Sequence, residues 1–172
     1  CGILLGTVIH VFYVGAGSVI CYSTFDTVTD TWGSTISSSI VAHISNANSN
    51  SVVFAAPRPD GSFVVVYSEE TMAGIYPVSS CKYVIFDGSW GSPVSFGPPA
   101  SANFQVSPQG AIAGSSGRVH LIYQTDDSAA TYLSYVGQQC LLYPSNALVA
   151  YQNEIASLGG SSVTTMGPSS FF

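Results

Sequence analysis

Three histidines, nine carboxylates, four cysteines and three cations are the reactive inventory of this 172-residue chain. Acyl transfer by a Ser-His-Asp arrangement needs a serine raised on a sharp turn beside a histidine. Serine is abundant, but no G-x-S-x-G elbow occurs. His10 and His120 stand inside apolar runs, and His43 sits in Ile40-Val-Ala-His-Ile44, so each reads as a hydrogen-bonded core residue. No two histidines have i,i+4 spacing and no two cysteines form C-x-x-C, which argues against a zinc or thiol-redox centre. The doublets Glu69-Glu70 and Asp126-Asp127 each follow a strand-like run ending in tyrosine, at comparable places. Paired carboxylates suit glycoside hydrolysis, but in turns their simpler role is solvation. Asp126 is retained as a contact for a sugar hydroxyl; calcium at these doublets is the one cofactor considered, and none is expected. Trp32 and Trp90 complete the set: indole faces stack on the C–H faces of a pyranose, while Ser, Asn and Asp offer hydroxyl partners. With Arg58 and Arg118 they form the expected ligand-binding group, and packing between repeats is the competing role for both tryptophans.

The elements that must position these residues are β-strands. Charged residues make up only 7% of the chain, against 47% hydrophobic and 12% aromatic, a composition that folds. The net charge of −6 leaves Arg58, Lys82 and Arg118 as the only cations, too few for the counterion release that drives nucleic-acid binding. Cys1 to Tyr22 is nearly uncharged and long enough to cross a bilayer, but His10 and Gly15-Ala-Gly17 interrupt it, and it matches two soluble segments further on. No membrane span is therefore expected. Cys1, Cys21, Cys81 and Cys140 allow two disulfides or four free thiols.

Internal repetition organises the chain. Val8-Ile-His-Val-Phe-Tyr13, Ser62-Phe-Val-Val-Val-Tyr67 and Arg118-Val-His-Leu-Ile-Tyr123 share a pattern with a spacing of 54 and then 56 residues. Runs apolar at every position suit strands covered on both faces. A second block follows each: Tyr22-Ser-Thr-Phe25-Asp26, Tyr83-Val-Ile-Phe86-Asp87 and, more loosely, Tyr132-Leu-Ser-Tyr135; the first two continue to Thr31-Trp32-Gly33 and Ser89-Trp90-Gly91. The wider gap from Tyr67 to Tyr83 predicts a longer loop around Glu69 to Ser80. A further strand precedes each run (Ser51–Ala56, Gly110–Ala113 and Ser162–Met166), joined to it by Arg58-Pro-Asp-Gly61 and Gly114-Ser-Ser-Gly117, which carry turn chemistry. The spacing of Leu148, Tyr151, Ile155 and Leu158 predicts a short helix or irregular insertion over Asn146 to Leu158, between Ser145 and Gly159 as caps. Four short strands in up-and-down order, repeated every 55 residues or so, are the pattern of a β-propeller blade. The expected fold is all-β: four-stranded antiparallel blades over 1–50, 51–108 and 109–161, and the start of a fourth over 162–172. The whole forms one domain, part of a six- or seven-bladed ring. Blades bury their faces only against neighbours, so further chain or other copies of this chain are expected to complete the ring.

Two families resemble these repeats. Phe86-Asp-Gly-Ser-Trp90 and Thr29-Asp-Thr-Trp32 are similar to pieces of the Asp box of sialidase-like propellers, a turn that is structural in that family. A sialidase holds its substrate carboxylate with three arginines; this chain has only Arg58 and Arg118. Ile9-His-Val-Phe-Tyr13, Gly17, Tyr22, Phe25-Asp26 and Trp32 resemble the repeat of fungal fucose-binding lectins, most clearly in repeats one and two. His10 and His120 stand where that family has its sugar-binding arginine, and Cys21 or Tyr22 near its glutamate, so the fucose site itself is altered. The resemblance implies a non-catalytic, secreted propeller, extracellular or at the cell surface, that binds glycans or glycoproteins at clefts between blades. The alternatives are a structural or assembly protein of a coat, filament or cell-surface layer, and part of a propeller glycoside hydrolase with its catalytic residues in other blades.

Overall fold

The computed structural model describes residues 1–42, 53–73, 76–100, 104–114, 116–127 and 133–155. They form three antiparallel sheets, each an up-and-down meander in chain order. The first holds β1 (Gly2–Leu5), β2 (Val8–Val14), β3 (Val19–Asp26), β4 (Thr31–Trp32) and β5 (Ile36–Val41). Its outermost position is shared, because β4 pairs with the end of β3 and β5 with its beginning. The second holds β6 (Val53–Pro57), β7 (Phe63–Ala73), β8 (Tyr76–Phe86) and β9 (Val94–Phe96), and the third β10 (Phe104–Ala113), β11 (Val119–Asp127), β12 (Leu133–Leu141) and β13 (Leu148–Ile155). The all-β reading and its four-stranded units stand. Cys1 to Tyr22 becomes β1, β2 and the start of β3, and among the described residues no helix is long and apolar enough to cross a membrane.

Turn chemistry places the strands as the sequence anticipates. Gly6, Gly61 and Gly117 have φ of +62°, +83° and +75°, and each lies in the turn between the first and second strands of its unit. Glycine carries that left-handed backbone without steric cost. At Gly117 space matters too: a Cβ there would come 2.5 Å from Pro59, so the first turns of the second and third units are in contact.

Two expectations are corrected. The stretch predicted as a helix over Asn146 to Leu158 contains strand β13, paired with β12 from Leu141↔Leu148 to Val136↔Ile155. A register shift between Val136 and Gln138 breaks the two-residue alternation, and an alternating pattern with an insertion imitates helical spacing. The predicted loop around Glu69 to Ser80 is a continuation of the β7–β8 ladder, whose rungs run without interruption from Phe63↔Phe86 to Ala73↔Tyr76. His43, Tyr132, Leu158, Gly159 and the proposed opening of a fourth unit, Ser162 to Phe172, lie outside the described residues.

The sheets stack face to face, and residue parity decides which face meets which. On β7, Phe63, Val65 and Tyr67 join Val84 and Phe86 against Phe12 and Ile20 of the first sheet. Val64 and Val66, with Cys81 and Tyr83, point the other way, against Val119, Leu121 and Leu141 of the third sheet. Val64, Val65, Val66 and Tyr67 are all fully buried, because the middle sheet is covered on both sides. Burying side chains of this size stabilises by about 1.5–3 kcal/mol each.

Candidate functional site

Every junction is built the same way. With Tyr13, Tyr67 and Tyr123 aligned, the forward face of the first sheet carries His10 and Phe12, and it packs on the backward face of the second, which carries Val65 and Tyr67. The forward face of the second carries Val64 and Val66 and packs on the backward face of the third, which carries Leu121 and Tyr123. Among the described residues two half-junctions have no partner sheet: the backward face of the first sheet and the forward face of the third.

Trp32 lies on the first of these. It pairs with Phe25 across β3 and β4, ring centroids 5.1 Å apart, and is 65% exposed. With Val11, Tyr13, Ser23, Gly33 and Thr35 it lines an open cleft of about 410 Å³. Tyr13 Oη and Thr35 Oγ1 are 3.2 Å apart, and Ser23 Oγ donates to the Gly33 carbonyl at 3.1 Å. The cleft thus presents one bare indole, a half-exposed phenol and hydroxyls at its margin. Only Trp32 of its residues is in the sequence-predicted set. Tyr13 was legible as the anchor of the repeat; parity places it with Val11, Ser23 and Phe25, but the depth of the cleft depends on the short β4, which no periodicity reveals.

Trp90 holds the matching position one unit on, bridged to Phe86 as Trp32 is paired to Phe25. There the junction is occupied. Its ring lies 4.7 Å from Phe86 and edge-on to Phe12 at 6.3 Å, and Nε1 donates to the Ile36 carbonyl across the junction at 3.4 Å. Of the two roles weighed for the tryptophans, Trp90 therefore plays the packing one.

The remaining predicted residues do not converge on either tryptophan. Arg58 is only 8% exposed; its guanidinium donates to Asn146 Oδ1 at 2.7 Å and lies 4.9 Å from the Tyr143 ring centroid, tying the first turn of the second unit to the β12–β13 turn. Arg118 is exposed immediately before β11. Asp126 sits near the end of β11, in register with Gln105 and Ser134, and its side chain lies outside the described residues.

The other polar groups have local tasks. His10 Nδ1 and Tyr22 Oη are 2.7 Å apart; burial lowers the imidazole pKa and raises that of the phenol, so a neutral ring accepting from the hydroxyl is favoured. His120 Nδ1 bonds Gln138 Nε2 in the equivalent place on the third sheet. Both have the hydrogen bond read from sequence. His10 sits at the first junction against Phe63, whereas His120 is half-buried on the face beside exposed Ile112 and is not a core residue. Asp26 Oδ1 accepts from the backbone N–H of Val28 and Thr29 at 2.8 and 3.2 Å. Asp87 Oδ1 accepts from the N–H and hydroxyl of Ser89 at 3.2 and 2.8 Å, bonds that hold this carboxyl below its ordinary range. Both aspartates therefore brace their own turns. Glu69 pairs with Lys82 at 3.2 Å and Glu70 is buried. All four cysteines are free thiols, with only Cys1 exposed. Among the described residues no three histidine, cysteine or carboxylate side chains are grouped to hold a metal. Compared with known proteins, the chain matches no family model and no curated protein.

Proposed function

We propose that the three sheets are consecutive blades of a β-propeller and that the chain serves as a non-catalytic assembly module, an extracellular or cell-surface scaffold whose two open faces are made to be covered by further blades. One observation carries this reading: both internal junctions join a forward face to a backward face, and among the described residues one of each has no partner sheet. Trp90 is the reference for what a covered position contains, and Trp32 is the same position uncovered. The low charge of the chain fits, since interface cores are depleted of charged residues. Radical footprinting of the dilute chain tests it. Trp32, Tyr13 and Leu4 should be modified quickly, with Trp90 and Tyr67 protected; a Trp90 modified as fast as Trp32 would remove the stacking on which the reading depends.

The Trp32 cleft supports a second reading, glycan binding, because a bare indole flanked by a phenol and hydroxyls is suited to a pyranose. A glycan array probed with and without competing free sugar decides it. Binding that free sugar abolishes and Trp32→Ala weakens would establish this use of the cleft; a blank array from folded protein would dismiss it.

A further inference from the structure

The open backward face of the first sheet and the open forward face of the third are the two halves of one junction, and we propose that they dock on each other between two copies of this chain. The inference rests on the blade reading and adds the occupant. The backward face presents Leu4, Ile9, Val11, Tyr13, Phe25 and Trp32, with Leu4 and Trp32 62% and 65% exposed. The forward face presents Ile112, 55% exposed, with His120, Ile122 and Val149 beside it. The residues named in the two sets carry no formal charge, so this central part of each face can be desolvated without burying an unpaired charge. Arg118, immediately before β11, and Asp126, near its end, fall at the same parity as Ile122.

The internal junctions fix how the halves meet. Phe12, which receives the edge of Trp90, corresponds by the tyrosine alignment to Ile122. Ile36, whose carbonyl accepts from Trp90 Nε1, is cross-strand to Tyr22 and through it to Phe12. On the third sheet the same path runs from Ile122 through Gln138 to Tyr151. Trp32 of one copy therefore seats against Ile122 of the other, with the Tyr151 carbonyl as acceptor for its indole N–H. A forward-to-backward contact is heterologous, and such contacts close into rings when the rotation permits. Two copies of the three described sheets give six blades, within the usual range of about 4–8 for a closed ring, and cover the two faces left without a partner among the described residues.

Sedimentation of the 172-residue chain from about 1 to about 100 μM, the span of moderate affinities, is the experiment. The expected result is a concentration-dependent dimer. Trp32→Asp blocks only the backward face and Ile122→Asp only the forward face, and each alone should weaken dimerisation about 30-fold or more, as loss of a central anchor does. An equimolar mixture of the two variants should recover a dimer, because each supplies the face the other lacks. A wild-type monomer throughout the range overturns the proposal and leaves the faces to other blades. A wild-type dimer whose variants fail to complement each other overturns it as well, since that contact would not be forward-to-backward. Circular dichroism on both variants separates lost docking from lost folding, and Trp32→Ala with Ile122→Ser provides milder versions should an aspartate unfold the chain. The footprinting contrast between Trp90 and Trp32 at low concentration separates failure of this docking from failure of the blade reading, because only the latter would expose Trp90.

Discussion

At the scale of single residues, what a side chain does here follows from whether a neighbouring sheet lies over it. Trp32 and Trp90 are near-identical in local sequence, each following a Phe-Asp block and preceding a glycine, and no reading of their surroundings alone separates an exposed indole from a packed one. The difference is tertiary. The histidines were legible, since an imidazole inside an apolar run must find a hydrogen-bond partner, although the partners Tyr22 and Gln138 were not. Arg58 was less so: it reads from sequence as a ligand contact, and its burial depends on Asn146 and Tyr143 from the following unit. His10 also yields a pH dependence. Its pKa is lowered in the folded chain by burial, so the unfolded chain binds the proton more readily around the ordinary value of 6.5. Stability from this group is complete above that pH and is lost as pH falls below it. Urea midpoints should therefore drop between about pH 7.5 and 5, above most of the carboxylate range, and His10→Gln should lose part of that drop. An unchanged slope in the variant would assign it to other groups.

At the scale of elements, strands were legible where alternation or an all-apolar run persisted and illegible where the register shifts. The shared motif around Tyr13, Tyr67 and Tyr123 gave β2, β7 and β11. β13 was misread because its register shift breaks the period. The β7–β8 extension was missed because a spacing count sees only extra residues between two motifs, and cannot tell a loop from longer ladders. In β10 the ladder skips a residue between Pro108 and Gly110. Proline lacks an N–H and is tolerated on an edge strand or at a bulge, and β10 is at the edge of its sheet. Strand placement also sets thiol reactivity. Cys21, Cys81 and Cys140 are buried on β3, β8 and β12, and burial raises the pKa of Cys81 and Cys140, suppressing the reactive thiolate. Labelling with an aromatic disulfide should consume one thiol rapidly in the native chain and all four in denaturant; fewer than four in denaturant without reductant would reveal a disulfide.

At the scale of the whole molecule, stability resides in the two junctions. Phe12 is fully buried amid Tyr22, Phe63, Phe86 and Trp90, and Phe12→Ala should cost about 3–5 kcal/mol in chemical denaturation. Leu121→Ala, fully buried at the second junction, should cost about 2–5 kcal/mol. A loss under about 1 kcal/mol at either would mean that the sheets hold together by other means. The repeat, the strand order and the need for each sheet to be covered were all legible, since every unit carries runs apolar on both faces. Which faces end up bare was not, because the parity of a fully apolar run is silent until a partner sheet is in place.

That silence has a consequence for how the chain can change over generations. Val64, Val65 and Val66 look interchangeable in sequence, yet the middle one shares its cluster with Phe12 and the outer two with Leu121. Adjacent letters therefore write to opposite sides of the molecule. Substitutions at Val64 and Val65 should accumulate independently, whereas one at Val65 should be accepted only alongside compensation some fifty residues back, and one at Val64 alongside compensation some fifty-five residues ahead. In such a chain inheritance is coupled across the repeat length, and not between neighbours.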